Sequence, residues 1–279
     1  MYQTDPPRPV KEVLPTMYDL PSEEVGDPGL PDEFHIFQPQ LLRDTFIPPT
    51  YPADSVFVAT DLNLYYDSRN PLWYKRPDWF AAVGVSRLYE AREMRLSYVV
   101  WQEGINPFVM VELLSPGTEK EDLGQSLRDV VKPPSKWEVY ERILRIPYYI
   151  VYSRYTNELR IFELRGTQYQ ELTLSEERFW FSELELGLGL WQGSYQGVEA
   201  LWMRWYDATN NWIPTPTELT QVERQQRHLA QEQAEVERQR RHLAQEQAEV
   251  ERQQRHLAQE RAERLAARLR ELGVNPEEL

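Results

Sequence analysis

The run Val109-Met110-Val111-Glu112-Leu113-Leu114, stopped by Ser115-Pro116, constrains this chain more than any other stretch. It is short, apolar and partly β-branched, so it reads as a buried strand. A carboxylate inside such a run is costly to bury unless something pairs with it. A divalent metal is one such partner, and hard cations such as Mg²⁺ choose carboxylate oxygens. Two more stretches carry related chemistry. Arg76-Pro77-Asp78-Trp79 offers an acid beside a proline, and Lys136-Trp137-Glu138-Val139-Tyr140 offers a lysine opening an amphipathic segment. An acid, a second acid and a lysine around a metal form an arrangement for splitting phosphodiesters.

The surroundings read as a mixed sheet. Short apolar runs recur between residues 55 and 174: Val56-Phe57-Val58-Ala59, residues 62–66, Trp79-Phe80-Ala81-Ala82-Val83, residues 96–101, 108–114, 148–152, 159–162 and 169–174. All have strand character. Residues 134–144 read as a helix, because Trp137, Tyr140, Ile143 and Leu144 are spaced three and four apart. Residues 178–212 are rich in tryptophan and are expected to cover one end of the sheet, with Val198–Tyr206 as a short helix and Trp202, Trp205 and Trp212 in the core. Residues 1–50 are rich in proline and acid and have little core of their own. Phe34, Ile36, Phe37, Leu41 and Leu42 are expected to anchor its second half to the body, as a short helix or strand.

At this point the chain resembles the PD-(D/E)XK nuclease superfamily, in the branch of bacterial restriction-type endonucleases called the Uma-two family. The resemblance spans residues 51–212. Pro77-Asp78 matches the PD element, and Glu112 stands where the second acid belongs, within Val111-Glu112-Leu113-Leu114-Ser115-Pro116-Gly117-Thr118. The superfamily's E-x-K is broken, because position 114 is Leu. Lys136 and Tyr140 match the branch's K-x-x-x-Tyr element on the next helix, and Pro147-Tyr148-Tyr149-Ile150-Val151-Tyr152 resembles the strand that follows. The resemblance implies an α/β, restriction-endonuclease-like mixed β-sheet flanked by helices. It implies DNA as substrate and Mg²⁺ as cofactor, with Mn²⁺ as a substitute. Asp78, Glu112 and the main-chain carbonyl of Leu113 would hold the metal, and Lys136 would join the two acids as a catalytic group. Glu33 is the candidate for the additional acid that many members carry on an N-terminal helix.

Composition limits the alternatives. There is no cysteine, which excludes disulfides, thiolate zinc sites and cysteine nucleophiles. The net charge of −14 argues against a generic nucleic-acid coat protein. The excess acid sits mostly in residues 1–68, however, and residues 69–145 are near neutral. Arg87, Arg92, Arg95, Lys120, Arg128 and Lys132 are candidates for phosphate contacts, and Lys75, Lys120 and Lys132 rival Lys136 as the catalytic cation. His35 has no obvious partner set, and Gly187-Leu188-Gly189-Leu190 lacks the lysine and threonine of a phosphate-binding loop. Neither an export leader nor an 18-residue apolar run is evident, so a cytoplasmic protein without membrane contact is expected.

From Thr215-Pro216-Thr217-Glu218, a capping box with proline at the first helical position, the pattern changes. A 14-residue unit beginning at Val222 recurs at Val236 and Val250. The expected division is residues 1–50, a body over 51–213, and a helical tail over 214–279. Residues 216–272 are expected to form one helix roughly 85 Å long. Val222, Leu229, Val236, Leu243, Val250 and Leu257 fill one heptad position, but Gln225, Glu232, Gln239, Glu246, Gln253 and Glu260 fill its partner. A tight zipper wants both positions apolar, so a single helix or weak coiled coil is expected. Any homo-oligomer would form through the body. The alternative function is of a different class: a catalytically silent scaffold whose long helix mediates self-association or partner binding.

Overall fold

The computed structural model describes residues 32–115, 119–125 and 133–271. In chain order the body contains α1 (Phe34–Thr45), β1 (Val56–Thr60), β2 (Leu64–Tyr65), β3 (Tyr74–Lys75), β4 (Trp79–Val83), β5 (Tyr98–Val99), α2 (Val100–Glu103) and β6 (Val109–Leu113). There follow α3 (Glu119–Asp122), α4 (Lys136–Glu138), β7 (Tyr148–Ser153), β8 (Glu158–Arg165), β9 (Gln168–Glu171), β10 (Arg178–Phe181), β11 (Leu186–Tyr195) and β12 (Val198–Tyr206). Helix α5 (Pro216–Glu271) forms a second unit. The chain thus has the mixed α/β, restriction-endonuclease-like architecture that the resemblance implies, followed by the long C-terminal helix expected from the capping box and the repeats.

The central sheet has the order β1-β4-β6-β7-β8-β9. All pairs are antiparallel except β6 and β7, which run parallel. A parallel pair needs a crossover connection, and here that connection carries α3 and α4. Every residue of β4 and β6 is buried, as expected of strands covered on both faces. One face presents Trp79, Ala81, Val109, Val111 and Leu113 to α1 and to the sheet β10-β11-β12. The other presents Phe80, Ala82, Met110, Tyr149 and Val151 to Leu64, Tyr98, Val139 and Tyr140. Glu112 alternates with Val111 and Leu113, so it projects into this second layer.

Helix α1 buries Leu41 and Leu42 completely, so the body takes in the second half of the N-terminal segment. The Gln38 side chain donates from Nε2 to the Met203 carbonyl at 2.9 Å, and its Oε1 accepts from the Met203 N–H at 2.8 Å. One side-chain amide therefore ties α1 to β12. Residues 1–31 lie outside the described residues.

Three expected elements differ. Val198–Tyr206 is a strand, not a helix, paired along its whole length with β11. Its Leu201, Trp202, Trp205 and Tyr206 have helical spacing, but Gln196 and Gly197 both adopt positive φ, 52° and 78°. Two positive φ values make the two-residue turn that closes a hairpin. The expected helix over residues 134–144 is one α turn followed by a π turn over Val139–Ile143. The expected strand over residues 96–101 ends at Val99, where α2 begins.

In α5, the side chains of Glu237 and Arg241 pair at 2.5 Å and those of Glu251 and Arg255 at 2.6 Å. The repeated apolar residues are about half exposed, from 49% at Val236 to 60% at Leu257. No helix among the described residues is long and apolar enough to cross a membrane.

Candidate active site

The β4–β6 register places Trp79 opposite Val111. One step further along, Asp78 meets Glu112. Both project to the same face, because each lies two residues from a residue of the second layer, Phe80 and Met110. The Asp78 Oδ2 accepts from the Leu113 N–H at 2.6 Å, and the Asp78 N–H donates to Glu112 Oε2 at 3.4 Å. Two acids far apart in sequence are thereby fixed to one strand end.

Lys136 and Tyr140 reach the same carboxylate from α4 and the π turn. Ser135 caps this segment, its Oγ accepting from the Glu138 N–H at 3.2 Å. Residues four apart share a helix face. Lys136 Nζ donates to Glu112 Oε2 at 2.8 Å, and the Tyr140 hydroxyl donates to Oε1 at 2.8 Å. Lys136 Nζ also lies 3.1 Å from Asp122 Oδ1. Asp122 is 1% exposed and Glu112 is fully buried.

Electrostatics follow from this crowding. Burial pushes the Glu112 carboxyl up to about 8, against the pull of Lys136, and the charges of Asp122 and Asp78 add to the rise. Burial by itself would lower Lys136, but Glu112, Asp122 and Asp78 hold its ammonium well above the ordinary lysine value. Burial and the Glu112 charge also raise Tyr140, which keeps its hydroxyl proton and serves as a donor. With all three carboxylates ionised beside one ammonium, two negative charges would remain, and one divalent cation would neutralise them.

The donors fit a hard cation. Asp78, Glu112 and the carbonyl of Leu113 offer oxygen only, as Mg²⁺ prefers. Among the described residues, no group of three or more His, Asp or Glu side chains is arranged to hold a metal. Mg²⁺ does not need one, since it is usually held by one or two carboxylates with waters and substrate phosphates.

The remaining candidates fall elsewhere. Glu33 is exposed at the start of α1, and makes no capping bond. Its neighbour His35 approaches the site instead, with Nε2 3.4 Å from the Leu113 carbonyl and Nδ1 2.9 Å from Asp32 Oδ1. Asp32 also pairs with Arg154. His35 therefore has partners, Asp32 three residues before it and the distant Leu113 carbonyl. Arg95 is withdrawn from phosphate contact by a buried pairing with Glu103 at 2.7 Å. Arg128 and Lys132 lie outside the described residues, as does the Lys120 side chain. Asp122 was not singled out from sequence. Its only signal is an acid following the Ser-Pro stop, in a connection whose path the sequence leaves open.

Comparison with known proteins gives a family. The family model "Uma2: Putative restriction endonuclease" matches residues 38–196, more than half of the chain, and that span contains Asp78, Glu112, Asp122, Lys136 and Tyr140. The chain belongs to this family. No curated protein matched it.

Proposed function

From that membership we propose that the protein is a Mg²⁺-dependent endonuclease that hydrolyses DNA phosphodiester bonds. The observation that carries this reading is the meeting of Asp78, Glu112 and Lys136 on one face of the sheet, with Lys136 Nζ 2.8 Å from Glu112. A fully buried carboxylate beside a second acid and a lysine is costly to keep, and such clusters gather at functional sites, which favours this reading over a silent scaffold.

Asp78, Glu112 and the Leu113 carbonyl would hold the metal. When bound, Mg²⁺ would offset the charge of the phosphate and lower the pKa of a nearby water. Asp78 is oriented for this by the Leu113 N–H. Tyr140 fixes the rotation of the Glu112 carboxylate by occupying Oε1. Lys136, an ammonium throughout, would orient the attacking water or stabilise charge developing on the phosphate oxygens. Products with 5′-phosphate and 3′-hydroxyl ends are expected.

The test is cleavage of supercoiled plasmid by the full chain with Mg²⁺ or Mn²⁺, beside Glu112→Ala shown to be folded. Cutting by the parent protein and none by the variant is expected. Equal cutting by both, or none by either, would refute the reading.

A further inference from the structure

Lys136 Nζ stands between two carboxylates, 2.8 Å from Glu112 Oε2 and 3.1 Å from Asp122 Oδ1. The oxygen it occupies on Glu112 is the one that also accepts from the Asp78 N–H, and so faces the neighbouring acid. A metal shared by Asp78 and Glu112 needs that side of the carboxylate. An ammonium held there repels a dication, and the two cations compete for one oxygen.

Asp122 is built to resolve this competition. It is almost fully buried at the end of α3, and its main-chain carbonyl accepts from the Tyr149 hydroxyl at 2.9 Å. Two residues on, Gly124 takes φ +68°, and a Cβ there would meet the Trp137 ring at 2.8 Å. The chain is thus folded tightly against the residue next to Lys136. An ammonium has three donors. It can give up Glu112 Oε2, keep its ion pair with Asp122 and remain in the site without an unpaired buried charge.

We propose that Asp122 is a positioning residue that retains Lys136 when Glu112 Oε2 exchanges the ammonium for a divalent cation. The inference rests on the reading of Asp78 and Glu112 as a metal site. It predicts that Asp122 matters to metal affinity through Lys136, without itself touching the metal.

The experiment is calorimetric titration of the full chain with Mg²⁺. Parent, Asp122→Asn, Lys136→Gln, the double variant and Asp122→Glu are compared, each first shown to be folded by circular dichroism. Asp122→Asn is expected to weaken Mg²⁺ binding roughly 10–100-fold, the range for losing a partner of a metal site's surroundings. In the Lys136→Gln background the same change should have almost no effect, because no competitor remains to be held. Asp122→Glu should recover part of the affinity. Should Asp122→Asn fail to fold, Asp122→Ser removes the same charge with a smaller side chain. An equal loss in both backgrounds would show Asp122 acting as a ligand or a remote charge, and would overturn the proposal. Unchanged affinity in Asp122→Asn would overturn it too. A parent protein and Lys136→Gln that both bind no Mg²⁺ would instead remove the metal site on which it rests.

Discussion

At the scale of the residue, the decisive feature is a carboxylate with no access to solvent. Glu112 was legible in sequence, because an acid interrupts an apolar run, and so was its need of a partner. Asp78 and Lys136 were singled out through the family resemblance, and both lie beside Glu112. Asp122 was not, because its contacts with Lys136 and Tyr149 join segments that no local pattern connects; His35 was not either, although its partner Asp32 stands only three residues before it. Two predictions belong here. The raised Glu112 pKa means that without metal the folded state keeps a proton that the unfolded chain releases near the ordinary value of 4.5. Its contribution to stability is full below that pH and is lost as pH rises through about 8. Melting temperatures of the metal-free protein should therefore fall between those pH values, and this slope should flatten in Glu112→Gln. An identical slope in the variant would refute the assignment. Tyr140→Phe removes the donor to Oε1 and leaves a buried acceptor unmatched. It should cost about 1–3 kcal/mol, measured by denaturant unfolding, and no loss would mean that the bond contributes nothing.

At the scale of the element, strands around the site were the most readable, since buried strands of a mixed sheet are short apolar runs. Strand β12 was misread, because four of its large residues repeat at helical spacing and the turn at Gln196-Gly197 was the better guide. The segment after Ser135 was read as plain helix, and its π turn has no sequence signature. Gly187 illustrates how a strand can be held by what it lacks. A Cβ there would lie 1.9 Å from the Tyr206 ring of the paired strand. Gly187→Ala should displace that ring and destabilise the body by about 1–3 kcal/mol, as overpacking does. Thermal unfolding checks this, and an unchanged midpoint would show that Tyr206 moves freely.

At the scale of the whole molecule, the body and α5 are separate units, and the sequence divides at the same capping box. Leu41 and Leu42, read as anchors of the N-terminal segment, are fully buried in the core of the body, so residues before 50 pack as part of it. The long helix keeps its apolar residues half exposed and its charges paired along its own length. Such pairs contribute only tenths of a kcal/mol each. Deleting everything after Pro214 should leave the melting temperature and Mg²⁺ binding of the body nearly unchanged, while the helical signal in circular dichroism falls. Loss of a tight dimer on deletion would show that the seam is stronger than its alternating polar positions suggest.

The central claim is that two acids on neighbouring strands share one divalent cation. It is tested most directly by the melting temperature of the full chain as Mg²⁺ is added, for the parent protein, Asp78→Asn and Glu112→Gln. A cation that binds only the folded state stabilises it by about 2.7 kcal/mol at a hundredfold excess over its dissociation constant. The parent protein should therefore melt at steadily higher temperature as Mg²⁺ rises into the millimolar range, and neither variant should respond. A parent protein indifferent to Mg²⁺, or variants that respond as strongly as it does, would contradict the account.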